Sequence, residues 1–195
     1  MQPFEDLFVE NLETCPTDGV ASGLQVKVYY APESFFHGIV IPSANTFEDV
    51  ATIAEGDMEF IEGKAWSWFN ALIDENELKT MLSGPTLRKK FRTQLDVFLL
   101  GLTPKVIGFL ETIANEPLVF GVTDANGQIW IVGNKRNAAT IDKADGTSGK
   151  LYTDNSGFSA TISANTILYR YAGDINNFNV TGGDFNTDFN NDFLI

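Results

Sequence analysis

The residues that could carry chemistry are few in kind. His37 is the sole histidine and Cys15 the sole cysteine. A cysteine nucleophile needs a base beside it and a third group to orient that base. Cys15 precedes Pro16 in an arm without such a motif, so the two would have to meet across the fold. An ordinary zinc set needs Cys or His donors in greater number, and none accompanies His37. Lying in Phe35-Phe36-His37-Gly38 within an expected strand, His37 reads as a structural residue.

Carboxylates are abundant enough to imitate several sites. Asp57, Glu59, Glu62, Asp74 and Glu75 have the chemistry for a glycosidase pair, which needs carboxyl groups about 5–10 Å apart. They equally have the oxygens for a divalent cation. Asp57 and Glu59 would share a strand face, an arrangement that chance often produces in an acidic chain. Asp142, Asp145 and Gly146 match part of a calcium loop but lack its terminal Glu, so they read as a turn. No serine sits in a nucleophile-elbow pattern. Gly121, Gly127 and Gly133 belong to a hairpin rather than to a phosphate-binding strand-to-helix loop. Trp66 and Trp68 fall on one strand face, where they could stack bases, but aromatic platforms normally work beside positive charge and these are set among acids. They read as core or interface residues. No catalytic, cofactor-binding or metal-ligating residue is assigned, no cofactor is expected, and the chain reads as a non-enzyme.

The charge narrows the class further. Thirteen basic against 26 acidic residues gives a formal charge of −13, which argues against wrapping a nucleic acid. Residues 1–83 hold 15 acids and only Lys27, Lys64 and Lys79 as bases, whereas Arg88-Lys89-Lys90-Phe91-Arg92 is locally basic. That run reads either as a contact for an acidic surface on another subunit or as a solvated strand edge protected by charge. A single cysteine excludes an intrachain disulfide framework. With neither a basic, apolar leader nor a bilayer-length apolar stretch, a soluble protein made without the usual secretion signal is expected.

The elements that must position these residues are mostly strands. A length of 195 residues suits one substantial domain. Residues 1–23 form an N-terminal arm, 24–171 a single β domain, and 172–195 a C-terminal arm in which Asp-Phe recurs three times. Leu24, Val26, Val28 and Tyr30 alternate as one strand face. Short strands are expected over 35–41, 47–53, 58–62 and 65–73, while 75–87 is ambiguous between helix and loop. Phe91, Thr93, Leu95, Val97 and Leu99 line one side of a longer strand. Thr103 and Pro104 open a helix over 104–114, with Val106, Phe109, Leu110 and Ile113 as its apolar stripe. Residues 117–134 read as a hairpin joined by the four residues Asp124-Ala125-Asn126-Gly127, with Leu118, Phe120, Ile129 and Ile131 on its apolar face. Both faces of these strands are largely apolar, which implies strands covered on both faces or packed against a helix. A polar loop of about 16 residues follows, then strands over 150–153, 158–163 and 166–171.

This layout resembles that of the tail tube proteins of tailed bacteriophages and their relatives in contractile injection machines. The resemblance runs over about residues 20–171. It rests on the helix TPKVIGFLETIANE, the hairpin PLVFGVTDANGQIWIVGN, a polar segment, and the strand pair GKLYTDNSGFSATIS. It implies a mainly β fold, an antiparallel β-barrel or sandwich with one flanking helix, in which LQVKVYY and FRTQLDVFLL build the inner-wall sheet. It further implies a structural virion protein of the tail, made in the host cytoplasm. Its copies would form a homo-oligomer of stacked hexameric rings in contact with other tail or virion proteins, and DNA would pass during ejection without specific binding. A tail terminator, a baseplate or capsid-associated component, and a standalone carbohydrate- or protein-binding β module are the alternatives.

Overall fold

The computed structural model describes residues 22–42 and 46–177. Its elements in chain order are strand β1 (Leu24–Pro32), β2 (Phe36–Ile39), helix α1 (Phe47–Val50), β3 (Thr52–Ile53), β4 (Met58–Phe60), β5 (Ser67–Asn70), β6 (Glu77–Ser83), β7 (Lys90–Leu100), helix α2 (Pro104–Ile113), β8 (Leu118–Asp124), β9 (Ile129–Val132), β10 (Thr140–Thr147), β11 (Gly157–Ala164) and β12 (Tyr169–Tyr171). No described helix is long and apolar enough to cross a membrane.

Among the described residues there are three sheets, and none closes on itself. A six-stranded sheet runs β3-β12-β9-β8-β1-β5, a four-stranded sheet runs β10-β11-β7-β6, and β2 pairs with β4 as a ribbon. The β12–β3 pairing is parallel and the others are antiparallel. The expected antiparallel β-barrel or sandwich with one flanking helix is therefore corrected to open sheets of mixed pairing with two separate α-helices among the described residues. Closure would require the edge strands to meet, and β3, β5, β6 and β10 all remain edges.

Strand alternation sets the layers. Val28 of β1, Leu118, Phe120 and Val122 of β8 and Val132 of β9 lie on one face of the six-stranded sheet. They pack against Leu95, Val97, Ala160 and Ile162 of the four-stranded sheet. The opposite face presents Ala31, Val119, Ile131, Tyr169 and Tyr171 to Phe36, Ile39 and Met58 of the ribbon, with Ile53. Strands apolar on both sides are thus covered on both sides. Burying a Val, Leu, Ile or Phe side chain is worth roughly 1.5–3 kcal/mol, so both layers hold the central sheet.

Helix α2 starts as its residues dictate. Thr103 accepts a hydrogen bond from the Val106 amide, and Pro104 fills the first turn. Phe109 sets its ring 5.3 Å from Tyr30 and 5.4 Å from Phe69, and Ile113 enters the first core. Val106 and Leu110 are only half-buried.

Several local readings change. Residues 77–83 form a strand rather than a helical turn, because β7 offers a complete antiparallel partner from Glu77↔Asp96 to Ser83↔Lys90. Phe47–Val50 is a helical turn instead of strand, capped by Thr46, which accepts from the Asp49 amide. The central hairpin closes on three residues, not four: the Asp124 amide donates to the Gln128 carbonyl, and Gly127 takes φ 80°. That register pairs Phe120 with Val132 and Val122 with Trp130, and so sends Ile129 and Ile131 to the face opposite Leu118 and Phe120. One residue of loop length reverses the face, as a period of two demands.

The polar stretch after Gly133 is ordered. Buried Asn134 accepts from the Arg136 and Asn137 amides and donates to Thr166, which holds the turn before β10 pairs with β11. Residues 150–153 are a turn rather than a strand, closed by Asp154, which accepts from the Lys150 and Leu151 amides.

Candidate functional site

The predicted chemical residues are scattered. His37 occupies the position in β2 where the pairing with β4 skips from Phe36↔Phe60 to Gly38↔Glu59. This bulge lets Phe36 and Ile39 both face the core while His37 points to solvent. Its Nδ1 lies 3.6 Å from Glu59, with both side chains largely exposed. Asp57, Glu59 and Glu62 follow one another along the ribbon side, while Asp74 and Glu75 sit in the turn before β6. Among the described residues no group of three or more His, Cys, Asp or Glu side chains is arranged to hold a metal ion. Cys15 and the Asp-Phe repeats lie outside the described residues.

Asp142 and Asp145 are in strand β10, not in a turn. Asp142 stands where the β10–β11 register skips a residue. It accepts from Arg92 at 2.5 Å and from Ser163 at 2.9 Å, which ties β10 to β7 across β11. Asp145 pairs with Lys143 at 3.1 Å. Gly146 lies against the Phe158 ring, where a Cβ would come within 2.6 Å.

A polar ladder that no motif announced crosses the outward face of the four-stranded sheet. Asp96 stands between Thr161 on β11 and Glu77 on β6 in direct register. It accepts from Thr161 at 2.9 Å, Gln94 at 2.8 Å and Lys79 at 3.1 Å, and Lys79 also reaches Glu77 at 2.6 Å. Burial pushes the Asp96 carboxyl up, but the bonds from Thr161, Gln94 and Lys79 together bring it below the ordinary carboxylate value. The Lys79 ammonium is raised by its bonds to Glu77 and Asp96. Both Asp96 oxygens and the Lys79 ammonium are engaged by neighbours on the sheet, which suits a fastening of strands rather than a reacting group.

Asp124 does similar work at the hairpin turn. It accepts from the Asn126 and Gln128 amides and from the Trp130 indole at 2.9 Å. Burial opposes its ionisation, and the Trp130, Gln128 and Asn126 bonds outweigh that and lower its pKa.

The two tryptophans on one strand face have different fates. Trp66 packs edge-on to Phe36 and Phe60 in the second core, and its buried indole N–H meets no acceptor among the described residues. Trp68 is 55 % exposed on edge strand β5, with the Lys27 ammonium 4.8 Å from its ring. Beside it, Tyr30, Phe69, Asn70, Leu100, Lys105 and Phe109 line an open groove of about 560 Å³.

The most prominent unpaired surface is the β6–β7 hairpin. Residues 81–92 are all exposed, including Met81, Leu82, Leu87 and Phe91. Arg88, Lys89 and Lys90 at its tip make no ion pair among the described residues. The opposite end of the same sheet, around the β10–β11 connection, exposes Leu100, Leu151 and Tyr152. Sequence reading marked the basic run; the unpaired apolar residues beside it were legible only once β6 was known to be a strand.

These features define a layered, open-sheeted β-protein that exposes apolar side chains at both ends of its four-stranded sheet. Scanning against family models and searching curated proteins and solved structures returned no match to this chain.

Proposed function

We propose that the protein is a structural subunit that acts by associating with other protein molecules, with a virion as its setting, and that it turns over no substrate. The observation that carries this reading is the concentration of large exposed apolar side chains on the two ends of one sheet: Leu82, Leu87 and Phe91 at one, Leu100, Leu151 and Tyr152 at the other. Scattered surface apolar residues need no explanation, but those gathered on protruding strand connections mark contact sites. Placement at opposite ends of one sheet permits a head-to-tail contact between copies, which extends or closes according to the rotation it imposes. The virion setting rests on the layout resemblance, of which the helix and the hairpin are present, while the polar segment holds β10 and only the second half of the expected strand pair is a strand. The carboxylates that would serve an enzyme are dispersed or engaged in strand fastening.

Sedimentation velocity over a rising concentration series tests the reading. A mass that increases with concentration is the expected outcome, and a monomer at every concentration would refute it. The groove beside Trp68 favours a second reading, a module that binds a carbohydrate or peptide on its aromatic wall. That reading predicts quenching of tryptophan fluorescence by such a ligand with the chain still monomeric.

A further inference from the structure

The inner face of the β6–β7 pair begins as core and ends as open surface. Leu78 packs on the first core and Leu95 is fully buried opposite it. Two residues further along each strand, Thr80 faces Thr93; two more, and Leu82 faces Phe91, where the side chains are 52 % and 40 % exposed. The apolar alternation has outrun its cover. Beyond it the tip is built to a definite shape: the Arg88 amide donates to the Pro85 carbonyl, and Leu87 is held at φ 63° with 96 % of its surface exposed. A non-glycine residue in the left-handed region is uncommon and marks a tightly turned tip. Gly84 permits the path, since a Cβ there would lie 2.7 Å from the Arg88 carbonyl oxygen. The result is an exposed pair, Leu82 and Phe91, on the inner face, with Leu87, Arg88 and Lys89 at the tip and Lys90 next to Phe91 at the start of β7.

The charge of this hairpin end is opposite to that of the rest of the chain. Residues 78–95 contain five bases and no acid, in a protein of net charge −13. Two segments outside the described residues are acidic and free of Lys and Arg: residues 1–21, with Glu5 and Asp6 between Phe4 and Phe8, and residues 178–195, whose acids and rings repeat regularly and whose chemistry matches the hairpin end in the more even way. Between 178 and 195 there are three Asp and no Lys or Arg, and each Asp precedes a Phe: Asp184-Phe185, Asp188-Phe189 and Asp192-Phe193, spaced by four. Each pair offers a ring to the exposed apolar residues and a carboxylate to the bases near them. The described chain ends next to Tyr29, whose hydroxyl donates to Asn176, and next to Gly121. That is the face of the six-stranded sheet away from the four-stranded sheet, so the segment starts on the opposite layer from its own hairpin.

We propose that residues 184–193 of one copy dock on the β6–β7 hairpin of a second copy, with the Phe side chains on Leu82, Leu87 and Phe91 and the Asp carboxylates on Arg88, Lys89 and Lys90. The proposal rests on the association reading and names the contact. A fluorescent peptide of residues 178–195 is titrated into the full chain carrying Asp184→Asn, Asp188→Asn and Asp192→Asn, which keeps its own segment from competing. Saturable binding is expected, weakened by about tenfold or more when Arg88→Glu, Lys89→Glu and Lys90→Glu are added to the receptor. Salt should weaken it likewise, because exposed charges are screened within about 8 Å near physiological ionic strength. A peptide with its three Phe replaced by Ala should bind about tenfold or more weakly as well, and as a peptide it carries no risk of misfolding. Absence of saturable binding at low salt, or binding indifferent to the hairpin substitutions, overturns the docking. If the wild-type chain meanwhile gains mass with concentration, the structural reading survives that loss. A wild-type chain that stays monomeric while the peptide binds its hairpin refutes both the two-copy contact and the association reading.

Discussion

Asp96 shows how one ionisable group is turned into structure. It faces Glu77 directly across the β6–β7 pair, a like-charge opposition that would destabilise the ladder if Lys79 did not touch both. Asp96→Asn should cost about 1–2 kcal/mol at neutral pH, because a charged acceptor of several hydrogen bonds is replaced by a neutral one. The carboxyl's pKa is lowered in the folded state. Its contribution is therefore complete above the ordinary carboxylate value and is lost as the pH falls through the lower folded value. Urea unfolding of wild type and variant should accordingly differ most at neutral pH and converge in strong acid. Tyr171 has the opposite sense. Burial, with Glu55 and Asp174 nearby, pushes its hydroxyl up to about 12 from 10.0. The unfolded chain releases that proton first, so Tyr171 makes the fold lose stability as pH rises above 10. Tyr171→Phe should flatten the alkaline slope of the melting temperature, even if it lowers the value at neutral pH.

For the elements, the sharpest test is the register of the central hairpin. Phe120 is fully buried and pairs with Val132, whereas Ile129 is partly exposed on the other face. Phe120→Ala should cost about 3–5 kcal/mol by chemical denaturation. Ile129→Ala should cost clearly less; equal losses would contradict the three-residue loop. Helix α2 gives a matching contrast. Ile113 is buried in the first core and Leu110 only half-buried. An Asp at 113 puts an unpaired carboxylate in an apolar contact and should prevent folding, while Leu110→Asp should leave a folded protein with a lowered melting temperature. Circular dichroism on both variants checks this.

For the molecule as a whole, charge is the governing quantity. A net −13 produces a long-range field that repels polyanions, and the β6–β7 hairpin, with five of the thirteen bases and no acid over residues 78–95, is the densest basic exception. Duplex DNA at physiological salt should show no mobility shift with this chain at micromolar protein. A shift that vanished with Arg88→Glu, Lys89→Glu and Lys90→Glu would mean that the hairpin binds phosphate rather than acidic protein, and the association reading would lose its main surface.

Local rules were enough wherever a residue's neighbours in the chain impose its state. Thr103-Pro104 opened the helix, and the alternation of Phe91, Thr93, Leu95, Val97 and Leu99 marked the inner side of β7, buried from Thr93 on. Apolar residues on both faces of β8 left open two-sided cover or packing against a helix, and the two cores give the first. The candidate site was legible only in part, as a basic run at 88–92. What local rules left open depended on partners distant in sequence. Residues 77–83 became a strand because β7 supplied a ladder, and the polar stretch from Thr140 became one because β11 did. Open sheets instead of a closed barrel are likewise a matter of which edges meet. Strand alternation has the same period in both architectures, so nothing in the pattern distinguishes them. The exposed pair of Leu82 and Phe91 at the basic run follows the same logic: exposure depends on where the opposing sheet stops, and that is a property of packing rather than of any one segment.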